Sequence, residues 1–266
     1  MIQSILEEIE KLELIYSDGE ELDSNWHRIQ MNLLIDVIRQ AMAERQREDF
    51  FVGGNMFVYF SVEQAQTVAS EPREKHPQFR GPDVFFVSGV EGRCDRKAWV
   101  VWNEEGRYPD LIIELLSPST ANVDRTAKKT LYESTFRTPE YFLYEPESEE
   151  LEGFRLLDGA YQPVKPGTKP GFQGRLWSRQ LGLWLGRWQG RRTGLDATWL
   201  RLYDSDGRLI PTAEESERGR ADAEYQRAES ERQRADAERQ RAEAERQRAD
   251  AAEAELALLR ARLSNG

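Results

Sequence analysis

A glutamate interrupts the apolar run Leu111-Ile112-Ile113-Glu114-Leu115-Leu116. A run of this length and composition reads as a strand buried on both faces. An ionised carboxylate placed there costs several kcal/mol unless something compensates it. A second acid, Asp83, opens the similar run Asp83-Val84-Phe85-Phe86-Val87, directly after Gly81-Pro82. Any fold of this chain must therefore deliver positive charge to two carboxylates at buried strands. A bound divalent cation is the natural means, and Ala127-Lys128-Lys129-Thr130-Leu131-Tyr132 offers lysines as well.

Spacing limits which acids act together. Asp110 and Glu114 share a strand face but stand about 13 Å apart, too far to hold one metal. Asp83 must come from another strand. Paired in the sheet, Asp83 and Glu114 approach a common point with the Leu115 carbonyl, a hard oxygen set suited to Mg²⁺ or Mn²⁺. Lys128 and Lys129 point about 100° apart on a helix, so only one faces such a site, and the sequence leaves the choice open.

The order of elements frames these residues. Residues 25–45 place Ile29, Leu33, Leu34, Val37, Ile38 and Met42 at helical spacing behind a Ser24 or Asn25 cap. Strands are expected over residues 55–60, 83–87, 99–102 and 111–116, a helix over 124–136, and a strand over 141–144 after the Thr138-Pro139 stop. Beyond Glu147 the chain breaks into short hairpins, including Trp199 to Tyr203 against Leu209-Ile210 across an Asp206-Gly207 turn. Trp177, Trp184, Trp188 and Trp199 in this stretch read as the filling of a small apolar core or contact, in preference to a base-stacking or carbohydrate surface.

From Ser216 the sequence repeats every seven residues, with later copies reading Ala-Glu-Arg-Gln-Arg-Ala-acid. Opposite charges three or four apart make this a long, charge-paired helix. Its best heptad seam sets alanine or serine opposite glutamine, a weak coiled coil, and only Leu256, Leu258, Leu259 and Leu263 form an apolar patch. A solvated helix with a short leucine contact at its end is the expectation. Its interleaved acids cancel the field that would attract a phosphate backbone.

Composition excludes several classes. Cys94 is alone, and His27 and His76 are the only histidines, so an internal disulfide, a cysteine-rich zinc site and an all-histidine metal centre are ruled out. No segment suits a membrane span, and the acidic first residues do not suit a signal peptide, so a cytoplasmic location is expected. The net charge is −11, of which residues 214–266 contribute −3 and the rest −8. That balance lends nucleic-acid binding no independent support.

The fragments Gly81-Pro82-Asp83, Pro109-Asp110 through Glu114 to Ser117-Pro118-Ser119-Thr120, Lys128 with Tyr132, and Pro139-Glu140-Tyr141-Phe142-Leu143-Tyr144 together resemble the Uma2 family of restriction-endonuclease-like proteins, within the PD-(D/E)XK nuclease superfamily. The resemblance runs from about Tyr16 to Pro211. It implies an α/β, restriction-endonuclease-like core with a mixed β-sheet flanked by helices, a small C-terminal β appendage and a long charged C-terminal helix. The corresponding domains are residues 1–211 (core about 16–146, appendage about 147–211) and 212–266.

The implied activity is metal-dependent endonucleolytic hydrolysis of phosphodiester bonds in DNA. Asp83 and Glu114 would hold Mg²⁺ or Mn²⁺, Lys128 would serve the nucleophile, and Tyr132 would pack behind it. The superfamily's usual lysine two residues after the second acid is replaced by Leu116, and Lys128 on the following helix takes its place by resemblance. Superfamily members often add an acid from the first helix, for which Glu20 or Glu21, with His27 nearby, are candidates beside their reading as surface-turn and helix-start residues. The alternative function is a non-catalytic protein that keeps the fold and assembles, as a homodimer, another oligomer or with a protein partner, through its C-terminal helix, as a coiled coil or by its leucines.

Overall fold

The computed structural model describes residues 14, 16, 24–70 and 81–264. Glu20, Glu21 and His76 lie outside the described residues. The chain divides into two compact units, with the boundary between Ala213 and Glu214.

In the first unit, helix α1 (Asn25–Glu44) begins where Ser24 accepts a hydrogen bond from the His27 amide at 3.1 Å, satisfying a donor that the helix itself leaves unpaired. The elements that follow are β1 (Phe50–Gly54), β2 (Val58–Tyr59), α2 (Val62–Ser70), β3 (Val84–Ser88), β4 (Trp99–Val100) and β5 (Leu111–Leu115). Residues 121–134 form one helix, α3, whose middle stretch Asp124–Lys128 is a π-turn. Then come β6 (Glu140–Glu145), β7 (Glu150–Leu157), β8 (Ala160–Pro163), β9 (Leu176–Ser178), β10 (Leu183–Arg192) and β11 (Leu195–Tyr203). Strand β1 and helix α2 have no counterpart in the sequence reading, which placed a single strand over 55–60.

The main sheet has six strands in the order β1-β3-β5-β6-β7-β8. Only β5 and β6 run parallel; the other neighbours are antiparallel. A parallel pair requires a crossover, and α3 is that crossover. The mixed sheet with flanking helices, the small antiparallel sheet and the long C-terminal helix are all present.

The period of two along each strand sorts the core into two faces. Leu111, Ile113 and Leu115 of β5, Val84 and Phe86 of β3, and Phe142 and Tyr144 of β6 pack with α1. Ile112, Leu116, Phe85, Val87, Tyr141 and Leu143 pack on the opposite face with Tyr132 of α3 and Phe136 just after it. Glu114 alternates with Ile113 and Leu115, so the pleat assigns it to the α3 face.

Two expectations change. Residues 150–163, expected in a β appendage, instead extend the main sheet as β7 and β8 through pairing with β6. The strand expected at Trp199 takes β10 as its partner, with Trp188 opposite Trp199, and meets Leu209 only through an isolated bridge at Tyr203. Strands β9–β11 form the smaller sheet and share the α1 core through Leu176, Leu183, Leu185, Trp199, Leu200 and Leu202. Its exposed strand edge is closed by one side chain: buried Gln30 donates to the Leu200 carbonyl at 3.0 Å and accepts from the Leu200 amide at 2.7 Å. Trp199 is buried and stacks on Trp26, a core role.

The second unit is helix α4 (Ala213–Ser264), exposed at every residue from Glu217 to Ala257. Leu256 is among these exposed residues; the side chains of Leu258, Leu259 and Leu263 lie outside the described residues. No described helix is long and apolar enough to cross a membrane.

Because α4 carries opposite charges three and four residues apart and no apolar stripe along residues 217–257, its removal should leave the first unit's core intact. A chain ending at Ala213 is expected to stay soluble and to melt within a few degrees of the full-length protein by circular dichroism. An unfolded or insoluble product would show that α4 stabilises the first unit.

Candidate active site

Gly81 and Pro82 place Asp83 at the mouth of the sheet. A Cβ on Gly81 would stand 1.4 Å from the Met56 carbonyl oxygen, so only glycine permits this approach. In the register that pairs Val84 with Ile113, Asp83 comes next opposite Glu114, and Pro82 opposite Leu115. Proline has no N–H, so the ladder ends there. The Leu115 amide turns to Asp83 Oδ2 instead, donating at 2.7 Å, and Pro82 has no N–H to give the Leu115 carbonyl. The Asp83 amide in turn donates to Glu114 Oε2 at 3.1 Å.

Helix α3 supplies the charge. The Tyr141 hydroxyl donates to the Asp124 carbonyl at 2.9 Å, giving that carbonyl a partner where the helix widens into its π-turn. Within this turn Asp124 and Lys128 both face the sheet and both are buried. Lys128 Nζ lies 3.1 Å from Glu114 Oε1 and 2.8 Å from Asp124 Oδ1. The first contact is a hydrogen bond, whereas the second is an ion pair without hydrogen-bond geometry, which leaves Asp124 Oδ1 without a hydrogen-bond donor. One turn on, the Tyr132 hydroxyl donates to Glu114 Oε1 at 2.9 Å. On the far side of Asp83, His27 Nε2 lies 2.9 Å from Oδ1.

Three of the residues singled out in the sequence, Asp83, Glu114 and Lys128, therefore meet, with Tyr132 behind them. Lys129 does not join them: its ammonium sits 3.5 Å above the Phe154 ring. Asp110 is also elsewhere, accepting from the amide and hydroxyl of Ser88, both at 2.7 Å. Ser117, Ser119 and Thr120 bond among themselves in the loop after β5. Asp124 was missed in the sequence, although an acid four residues before a lysine on one helix was a readable signal. His27, left open there, is the hydrogen-bonding partner of Asp83.

The electrostatics follow from three carboxylates sharing one lysine. Burial is the largest influence on Glu114, and although Lys128 opposes it, Asp124 and Asp83 add to it, so its pKa is pushed up to about 8. Burial also pushes Asp83 upward, but the His27 hydrogen bond and charge, the charge of Lys128 and the Leu115 amide outweigh it and hold Asp83 below its ordinary range. For Lys128, burial is outweighed by the attraction of Glu114, Asp124 and Asp83, which raises its pKa and keeps it protonated. Glu114 has no solvent exposure while the Asp83 side chain retains 17%, so the cluster meets solvent on the Asp83 side.

The family model described as "Uma2: Putative restriction endonuclease" matches residues 3–185. No curated protein matches the chain. Among solved structures, the chain is similar to the crystal structure of "a putative nuclease belonging to DUF820" from Anabaena variabilis, at 14% identity and a TM-score of 0.38, over 63% of this chain and 90% of that one.

A carboxyl group whose pKa is higher folded than unfolded binds more protons in the folded state, so stability falls as pH rises between the two values. For Glu114 that window runs from its ordinary value of 4.5 to about 8. The Asp83 contribution is complete above 3.8 and that of Lys128 is present below 10.5, so neither varies across the middle of this window. In chelator, the melting temperature of the wild type should fall from pH 5 to pH 8.5 more steeply than that of Glu114→Gln. Parallel pH profiles would show that Glu114 is ionised throughout.

Proposed function

The chain belongs to the Uma2 family, and on that premise we propose that it is a metal-dependent endonuclease that hydrolyses phosphodiester bonds in DNA, with residues 1–211 as its nuclease domain. The observation that carries this reading is the contact of Lys128 Nζ with Glu114 Oε1 at 3.1 Å, beside an Asp83 fixed opposite Glu114 on the neighbouring strand. An acid pair and a lysine, drawn from three separate elements, converge where the sheet opens to solvent.

The residues fit a hard divalent cation. Asp83 and Glu114 offer carboxylate oxygens, the Leu115 carbonyl shares their edge opposite Pro82, which has no N–H to give it, and burial, with Asp124 and Asp83 adding to it, raises the Glu114 pKa. Asp83 and Glu114 are the proposed ligands of Mg²⁺ or Mn²⁺. When bound, such an ion supplies Lewis-acid stabilisation of phosphoryl oxygen and lowers the pKa of the attacking water.

The chain's own residues do the rest. His27 and the Leu115 amide fix both oxygens of Asp83, and the Asp83 amide fixes Glu114, so the two carboxylates are preorganised. Lys128 is held protonated, which suits it to orient the nucleophile and stabilise the developing anion and makes it a poor general base. Asp124 and Tyr132 hold the ammonium and the Glu114 carboxylate in place from the helix side. With a charge of −8 outside residues 214–266, DNA affinity must come from local contacts and the cation.

Adding MnCl₂ or MgCl₂ is expected to raise the melting temperature of the wild type but not of Glu114→Gln. On plasmid DNA with Mn²⁺, Asp83→Ala and Glu114→Ala should abolish cleavage while remaining folded. Lys128→Ala should lose activity by roughly 10² or more, and Lys129→Ala should cleave close to wild type. Equal cleavage by wild type and all three site variants would overturn the assignment, and a metal-independent melting temperature would remove the metal from it.

A further inference from the structure

Helix α4 carries a charge pattern that charge pairing within a single helix does not require. With Ala237, Ala244 and Ala251 at heptad position a, Gln233, Gln240 and Gln247 occupy position d. The positions flanking this seam are then uniform in sign. Position g holds Glu215, Asp222, Glu229, Asp236, Glu243 and Asp250, and position e holds Arg220, Arg227, Arg234, Arg241 and Arg248. Charge pairing within one helix is satisfied by many arrangements. One that keeps acids on one flank of a seam and arginines on the other over about 50 Å, at 1.5 Å per residue, is a statement about a partner.

The occupant follows from complementarity. In a parallel pair of helices, position g of one chain meets position e of the next heptad in the other. Two copies of this helix in register bring Glu215 to Arg220, Asp222 to Arg227, Glu229 to Arg234, Asp236 to Arg241 and Glu243 to Arg248, each pairing occurring twice across the two-fold axis. Only Asp250, opposite Glu255, meets its like. An antiparallel pair would set g against g and e against e, acids on acids and arginines on arginines. Of these positions all but Glu215, which is half-buried, are exposed, and Leu256, 51% exposed, falls at position f, outside the seam.

We infer that α4 is a homotypic docking surface that joins two copies of this chain in parallel and in register, with the charged flanks selecting the partner and its direction. The alanine and glutamine seam lets the helices approach closely but buries little apolar surface, so orientation and specificity rest on the flanks. The pairing weakens with salt because these charges are exposed. A parallel pair brings the starts of the two α4 helices together at one end of the pair. The inference is independent of the nuclease reading.

The test uses the full chain. In sedimentation equilibrium at low salt the wild type should reach twice its mass of 30.9 kDa, and the dimer should weaken as NaCl increases. An acidic-flank variant (Arg227→Glu, Arg234→Glu, Arg241→Glu) and a basic-flank variant (Asp222→Arg, Glu229→Arg, Asp236→Arg) should each sediment as monomers. Mixed in equal amounts they should restore the dimer, an outcome that a merely unfolded helix cannot produce. Orientation is read with Ala254→Cys in a Cys94→Ser background, since Cys94 is exposed. Oxidation should join two Ala254→Cys chains to each other in preference to joining Ala254→Cys to Ala223→Cys, which lies about 46 Å along the helix. A wild type that stays monomeric, variants that do not recover on mixing, or preferential cross-linking between positions 254 and 223 would each overturn the proposal.

Discussion

The buried ammonium of Lys128 sits between Glu114 and Asp124, and the arrangement of the first unit can be understood as what is needed to put it there. Glu114 lies in the central strand β5, where the surrounding side chains are apolar and a lone carboxylate would be strongly disfavoured. The lysine reaches it only because β5 and β6 are parallel, which obliges the chain to cross over the sheet as a helix and return. The π-turn in that helix, with Tyr141 bonded to the Asp124 carbonyl, is the local distortion accompanying the inward placement of both Asp124 and Lys128.

A second buried glutamate gives the contrast. Glu140, at the start of β6, accepts from Ser178 Oγ at 2.6 Å, Arg155 at 2.9 Å, and the amides of Arg179 and Gln180. Its charge is met by its own arginine and an array of donors, and it ties β6 to the loop after β9. Glu114 has one lysine that it shares with Asp124, and a second acid, Asp83, directly opposite. The two glutamates have the same residue type and the same burial; Glu140 is neutralised by the fold, while Glu114 belongs to a site with surplus negative charge. That difference separates a carboxylate with a full set of partners from one that must share its only counter-charge.

The two units divide the physics between them. The first is stabilised by apolar clusters on both faces of a mixed sheet and by a smaller sheet whose edge strand β11 is bonded by Gln30 at Leu200. The second has no apolar stripe and is written almost entirely in charge. Order in the first is enforced by packing, where a one-residue slip would move Glu114 to the α1 face. Order in the second rests on the sign of charges at fixed heptad positions.

The sequence by itself determined that Glu114 and Asp83 are costly residues in buried strands, that they lie on different strands, that the 25–45 segment is an amphipathic helix, and that the last fifth of the chain is a charged helix. These are local properties of period and composition. Family resemblance added Lys128 in preference to Lys129; the local sign of that choice, Asp124 four residues before Lys128 where Lys129 has Arg125, was present in the sequence. The tertiary structure decided that Lys128 meets Glu114 while Lys129 stacks on Phe154, that Asp124 joins the cluster, that His27 holds Asp83, and that residues 150–163 extend the main sheet. Each of these depends on which strands are neighbours and on the widened turn of α3. Such relations are set by packing between segments far apart in the chain, and the periodicity of any single segment carries no record of them.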